Sequence, residues 1–81
     1  MQYCELEIKC EDGLKSKNAA VFVQTAGKFE SQILIESGNK KVNAKSIMGV
    51  LALGVKQGET IYVIANGKDE KEAVSALEKL Y

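Results

Sequence analysis

The chain contains no histidine, and that absence removes more chemistry than most motifs could add. Imidazole is the side chain that takes up and releases a proton, or a phosphoryl group, near neutral pH, because its pKa lies at about 6.5. Cysteine is scarce, with two residues in all. The alternation over residues 2–9 predicts a strand that carries Cys4 and Cys10 about 20 Å apart at ~3.3 Å per residue. A disulfide needs Cα atoms within about 7 Å, so the two do not bridge each other. Lacking histidine or a further cysteine they also make a poor zinc site, and they read as buried apolar filler. No excess of charge exists either: 11 basic residues balance 11 acidic ones, which argues against nucleic acid or an anionic membrane as a direct partner. No apolar run approaches the ~18 residues of a membrane span, and the start has no signal-peptide core. The expectation is a cytoplasmic protein of one domain, residues 1–81, with a single modest core and no cofactor.

What is present is a regular succession of amphipathic segments. Cys4, Leu6, Ile8 and Cys10 share one face of residues 2–9, and Tyr3, Glu5, Glu7 and Lys9 the other, the period of a half-buried strand. Ser16 is a candidate N-cap for a helix to about Lys28, with Ala19, Phe22, Val23 and Ala26 as its core stripe. Ala20 and Val21 fall beside that stripe and leave apolar surface exposed. Ser31 to Glu36 predicts a second strand, with Ile33 and Ile35 inward. Ser37-Gly38-Asn39 turns it into a third, Lys40 to Asn43. Ser46 opens a short helix that Gly54 can close. A fourth strand, Thr60 to Ala65, precedes a last helix, for which Asp69 and Glu72 form a plausible capping box. The order βαββαβα, with one apolar face per element, predicts an α+β fold: a four-stranded antiparallel sheet with three helices on one side.

Three segments carry a family resemblance: Gly13-Leu14, Ala19-Ala20-Val21-Phe22-Val23-Gln24-Thr25-Ala26, and Val42-Asn43-Ala44-Lys45-Ser46-Ile47-Met48-Gly49-Val50. Together with the element order they resemble HPr, the small phosphocarrier of the bacterial phosphotransferase system, over essentially the whole chain. The resemblance implies an open-faced β-sandwich. After the first strand the family carries a histidine, a small residue, an arginine and a proline; this chain reads Lys15-Ser16-Lys17-Asn18. A lysine amine, with a pKa of about 10.4, is protonated and has no free lone pair for a phosphoryl group. Relay from enzyme I to sugar permeases is therefore disabled, and no second histidine stands in.

The segment around Ser46 is similar to the regulatory serine region of HPr from low-GC Gram-positive bacteria, which HPr kinase/phosphorylase modifies with ATP. One branch, Crh (catabolite repression HPr), has lost the carrier histidine and kept this serine, and the chain looks most like that branch. The resemblance implies a phosphoprotein, not an enzyme, that acts in transcription regulation once Ser46 is phosphorylated. Its implied partner is catabolite control protein A, a LacI-type repressor, in carbon catabolite repression. Ile47, Met48 and Leu51 would sit beside Ala20 and Val21 as the docking face, with Lys15 and Lys17 at its rim. Lysine at position 17 keeps the family's charge but loses the planar two-pronged guanidinium, which points to weaker or altered recognition.

Alternatives stay open at this stage. Spacing by itself reads Ser46 as a cap and Met48 and Val50 as core. Lys15 is either part of a new basic rim or solvated surface. A phosphate-independent module that docks on enzyme I, permease components or a metabolic enzyme would present the same patch. An enzyme using Lys15 or a cysteine thiolate has little support, since no general base is paired with Lys15 and the cysteines look inward-facing.

Overall fold

The computed structural model describes residues 1–80, Ser16 by its backbone alone. The elements run β1 (Gln2–Glu7), α1 (Ser16–Ala26), β2 (Gln32–Ser37), β3 (Lys40–Asn43), α2 (Ile47–Ala52), β4 (Thr60–Asn66) and α3 (Glu70–Glu78), the expected βαββαβα. The strands form one antiparallel sheet in the order β1-β4-β2-β3. Alternation sets which side chains meet. Cys4, Val63, Ile35 and Val42 lie across from one another in successive strands, as do Ala65 and Ile33, and this face turns toward the helices. Phe22 of α1, Val50 of α2 and Leu77 of α3 are fully buried against Ile33, Ile35, Ile61 and Val63.

Among the described residues, the opposite face of the sheet carries no helix. It presents the rows Tyr3–Ile64–Leu34 and Glu5–Tyr62–Glu36. Tyr3 and Tyr62 stack there with ring centroids 5.7 Å apart, and a hydrogen bond with Glu5 raises the Tyr62 phenol above its ordinary value. No helix among the described residues is long and apolar enough to cross a membrane.

Several boundaries differ from the sequence expectation, each for a local reason. β1 stops at Glu7 rather than at residue 9, because the chain leaves β4 there: the Ile8 N–H donates to Glu59 O and its carbonyl accepts from Gly58 N. Cys10 thus lies beyond the strand, half-buried, while Cys4 packs partly against the core. Both are free thiols, and only Cys4 fits the expected role as filler.

The cap of α1 is Lys15, not Ser16: the Lys15 carbonyl accepts from Asn18 N and Ala19 N. An ammonium has no acceptor, so the cap makes no side-chain hydrogen bond. The helix ends at Ala26, two residues before Lys28. Its entry is held instead by Gly13, at φ 65, where a Cβ would fall 2.2 Å from Val55 O. Only glycine permits that approach.

The capping box at α3 does not form. Asp69 is the N-cap residue, but its carboxylate makes no cap hydrogen bond; it accepts from Glu30 N at 2.9 Å, Ser31 N at 2.9 Å and Ser31 Oγ at 2.5 Å. Long-range partners have outcompeted the local one. Glu70 closes the turn in its place, accepting from Gly67 N at 3.0 Å and pairing with the amino terminus at 2.7 Å.

Candidate functional site

The segment preceding α2 is built to display a serine. Ala44 is buried and its N–H donates to Ile33 O at 2.8 Å, which pins the end of β3 to the sheet. The Asn43 side chain then accepts from Lys45 N at 2.9 Å, and its carbonyl accepts from Ser46 N at 3.1 Å. This is the turn chemistry asparagine supplies through its short amide. Ser46 follows in an extended conformation, φ −107 and ψ 114, as the N-cap of α2. Its Oγ accepts from Gly49 N at 3.2 Å, and its carbonyl from Val50 N at 3.0 Å. The expected capping role is what the structure contains.

Two neighbours shape the space around that hydroxyl. A Cβ on Gly49 would lie 3.3 Å from Val42 Cβ and 3.4 Å from Ser46 Oγ, so glycine keeps the hydroxyl uncrowded. Lys45 reaches back across the molecule and donates from Nζ to Phe29 O at 2.6 Å. Ser46 is half-exposed, and no carboxylate or other base among the described residues touches its Oγ. No described side chain is therefore placed to take a proton from this hydroxyl. The N–H groups of Ile47 and Met48 meet no acceptor among the described residues, as the first turn of any helix leaves them.

Around the serine lies an apolar face. Met48 is 73% exposed, and Val21, Ile47 and Leu51 each about 40%; Ala20 is half-buried. α1 and α2 pack together, so these residues belong to adjoining helices, as expected. Val50 points the other way and is fully buried. The short helix thus has a core side and a displayed side, and Met48 belongs to the second.

Lys15 and Lys17 stand exposed at the first turn of α1, and the ammonium of neither pairs with a described residue. The loop beneath them is well braced. Leu14 N donates to Val55 O at 3.1 Å, and Asn18 Nδ2 to Gly13 O at 3.1 Å. Asn18 gives back through its amide some of the rigidity that a proline ring would supply at helix entry. The backbone that carries the two lysines is thus held at a defined place. No group of three or more Cys, Asp or Glu side chains among the described residues is arranged to hold a metal ion.

Sequence reasoning missed the two long links into the Phe29–Ser31 bend, from Lys45 and from Asp69. They join residues 16 and 38 positions apart, and no local pattern announces such a pair.

Comparison with known proteins agrees with this geometry. A family model described as "PTS HPr component phosphorylation site" matches residues 3–81. The HPr-like protein Crh of Halalkalibacterium halodurans is 51% identical over 73 residues, covering 90% of this chain and 87% of that protein. The crystal structure of HPr-C-His from Thermoanaerobacter tengcongensis superposes with a TM-score of 0.97 at 55% identity, over 99% of this chain and 90% of its own. A crystal structure of Crh from Bacillus subtilis, described as an intertwined, domain-swapped dimer, matches with a TM-score of 0.75 at 46% identity, over 89% of this chain and 83% of that one. In the present structure β1 pairs with β4 of its own chain.

Proposed function

The chain belongs to the HPr family, and on that premise we propose that it is a Crh-like regulatory protein of carbon catabolite repression, switched by phosphorylation of Ser46. HPr kinase/phosphorylase would supply the base that Ser46 lacks. The Oγ attacks the γ-phosphorus of ATP, its proton passes to that base, and ADP leaves. The observation that carries the reading is Ser46 itself: a half-exposed cap hydroxyl beside an apolar face formed by Val21, Ile47, Met48 and Leu51.

The phosphate would carry about −1.5 to −2 charges. It would sit at the N-terminal end of α2, where the N–H groups of Ile47 and Met48 have no acceptor among the described residues, so little rearrangement of the fold is expected. The result is a new charge at the rim of an existing docking face. A partner with Arg or Lys opposite Ser46 gains affinity and an acidic one loses it. Catabolite control protein A is the partner this reading names, with Lys15 and Lys17 as additional rim cations. The chain would then act in the cytoplasm on transcription without contacting DNA. Histidine-type phosphoryl relay is ruled out by composition, since the chain has no imidazole.

Intact-mass measurement after incubation with HPr kinase/phosphorylase and ATP tests the switch. Addition of one phosphate to the wild type and none to Ser46→Ala is the expected result. Binding of the phosphorylated form alone to catabolite control protein A completes it. A second reading has its own support, because the apolar face is already displayed without phosphate. On that reading the chain docks on enzyme I, permease components or a metabolic enzyme regardless of modification, and the binding survives Ser46→Ala.

A further inference from the structure

Away from the Ser46 face, the last turn of α1 and the outer side of α3 enclose an open trough of about 620 Å³. Its floor is apolar: Phe29, Ala76 and Leu80, all half-buried. Its rim is basic: Lys28 on the α1 side, and Lys71 and Lys79 at opposite ends of α3. The three lysines are exposed, and none is paired with a described acidic residue. Glu72 is the one acid in the lining. The trough thus carries a local excess of positive charge on a chain whose net charge is zero. Glu70 and Glu78 on α3, and Glu30 beside Phe29, are not among the lining residues.

We propose that this trough is a docking site for an extended acidic peptide, of the pattern acid–x–apolar–x–acid. The spacing makes the case. Lys71, Ser75 and Lys79 are four residues apart on one face of a helix. The two lysines are therefore separated by about 12 Å along the axis, at ~1.5 Å per residue. An extended chain rises ~3.3 Å per residue, and its alternate side chains share a face. Carboxylates four positions apart, ~13 Å, then meet Lys71 and Lys79, while the apolar residue midway between them drops onto Phe29, Ala76 and Leu80. The hydroxyls of Thr25 and Ser75, also in the lining, can bond the peptide backbone. The trough is open rather than enclosing, a shape suited to an extended chain more than to a single small anion. The trough shares no lining residue with the Ser46 face, and Lys45, next to Ser46, touches it only at the Phe29 carbonyl.

An NMR titration of the full chain tests the proposal. The probes are a blocked pentapeptide Glu-Ser-Leu-Ser-Glu and its counterpart with glutamine at both ends. Saturable amide shifts at residues 28, 71, 75 and 79 with the acidic peptide only are expected. The double variant Lys71→Gln/Lys79→Gln, whose surface changes leave the melting temperature intact, weakens binding at least about fivefold, the scale of one to two exposed charge contacts. Glu72→Gln tightens it about twofold. Equal binding of the glutamine peptide, an unchanged affinity in the double variant, or shifts centred on Val21 and Met48 would each overturn the proposal. Shifts of the trough residues that follow protein concentration and ignore the peptide would overturn it too, by making a second copy of the chain the occupant.

Discussion

Replacing Ser46 with alanine deletes a hydrogen bond that holds the first turn of α2. The Oγ accepts from Gly49 N at 3.2 Å, a long contact on a half-exposed residue, so the loss belongs in the middle of the range for N-caps, about 1 kcal/mol. A chain of this length has a total stability of roughly 4–12 kcal/mol, and 1 kcal/mol moves the melting temperature by about 4–8 °C. Ser46→Asp keeps an oxygen acceptor, and aspartate caps about as well as serine; its melting temperature should stay within about 2 °C of wild type. The phosphorylated protein should melt at or above the unmodified one, because the free N–H groups of Ile47 and Met48 gain an anionic acceptor. Calorimetry at low ionic strength on the four forms gives the ranking. The reasoning fails if alanine is neutral, or if the phosphoprotein melts below Ser46→Ala, since either result means that the modification disrupts α2 instead of capping it.

Further outcomes follow from the same structure. Ser31 Oγ–H, then the Glu30 and Ser31 N–H groups, hold the Asp69 carboxyl down to about 2 from an ordinary 3.8. The folded value lies below the unfolded one, so this stabilisation is complete above about pH 4 and is lost as the pH falls through 2; urea midpoints of wild type and Asp69→Asn should differ at pH 7 and converge near pH 2. Glu70, held low by the Gly67 N–H and the amino terminus, acts in the same direction. Burial, helped by the Glu78 charge, pushes the Cys4 thiol up to about 11 from 9.0. At pH 8 its thiolate fraction falls about 100-fold, and mass-resolved alkylation should label it that much more slowly than an unperturbed thiol. Gly13→Ala should cost well over the ~1–2 kcal/mol of a left-handed residue, because its Cβ meets Val55 O at 2.2 Å. Gly54→Ala, at φ 63 with nothing within 4 Å, should cost only that backbone amount; equal losses in the two variants would show that the close approach is not what Gly13 is for.

Hydrophobic period alone determined much of this protein. Alternation in Cys4-Leu6-Ile8 and in Ile61-Val63-Ala65, and helical spacing in Ala73-Val74-Leu77, are local signals, because a strand or helix must bury one face whatever it packs against. Ser46 as a cap was legible for the same reason, since its hydrogen bond closes within three residues. So was the lack of any imidazole, which needs only the count of histidines. Competition between local and distant partners was not legible. Asp69 and Glu72 have the spacing of a capping box, yet the carboxylate of Asp69 went to Ser31, 38 residues away. Lys45 went to Phe29 O, and Lys15 took the cap position next to Ser16. Only the packed sheet and helices bring such groups within hydrogen-bond range, and only there does a buried polar atom choose among them. The apolar side of α2 that faces outward was likewise decided by packing: six residues permit Val50 or Met48 to point inward, and contact with α1 and β3 selects Val50 and leaves Met48 exposed.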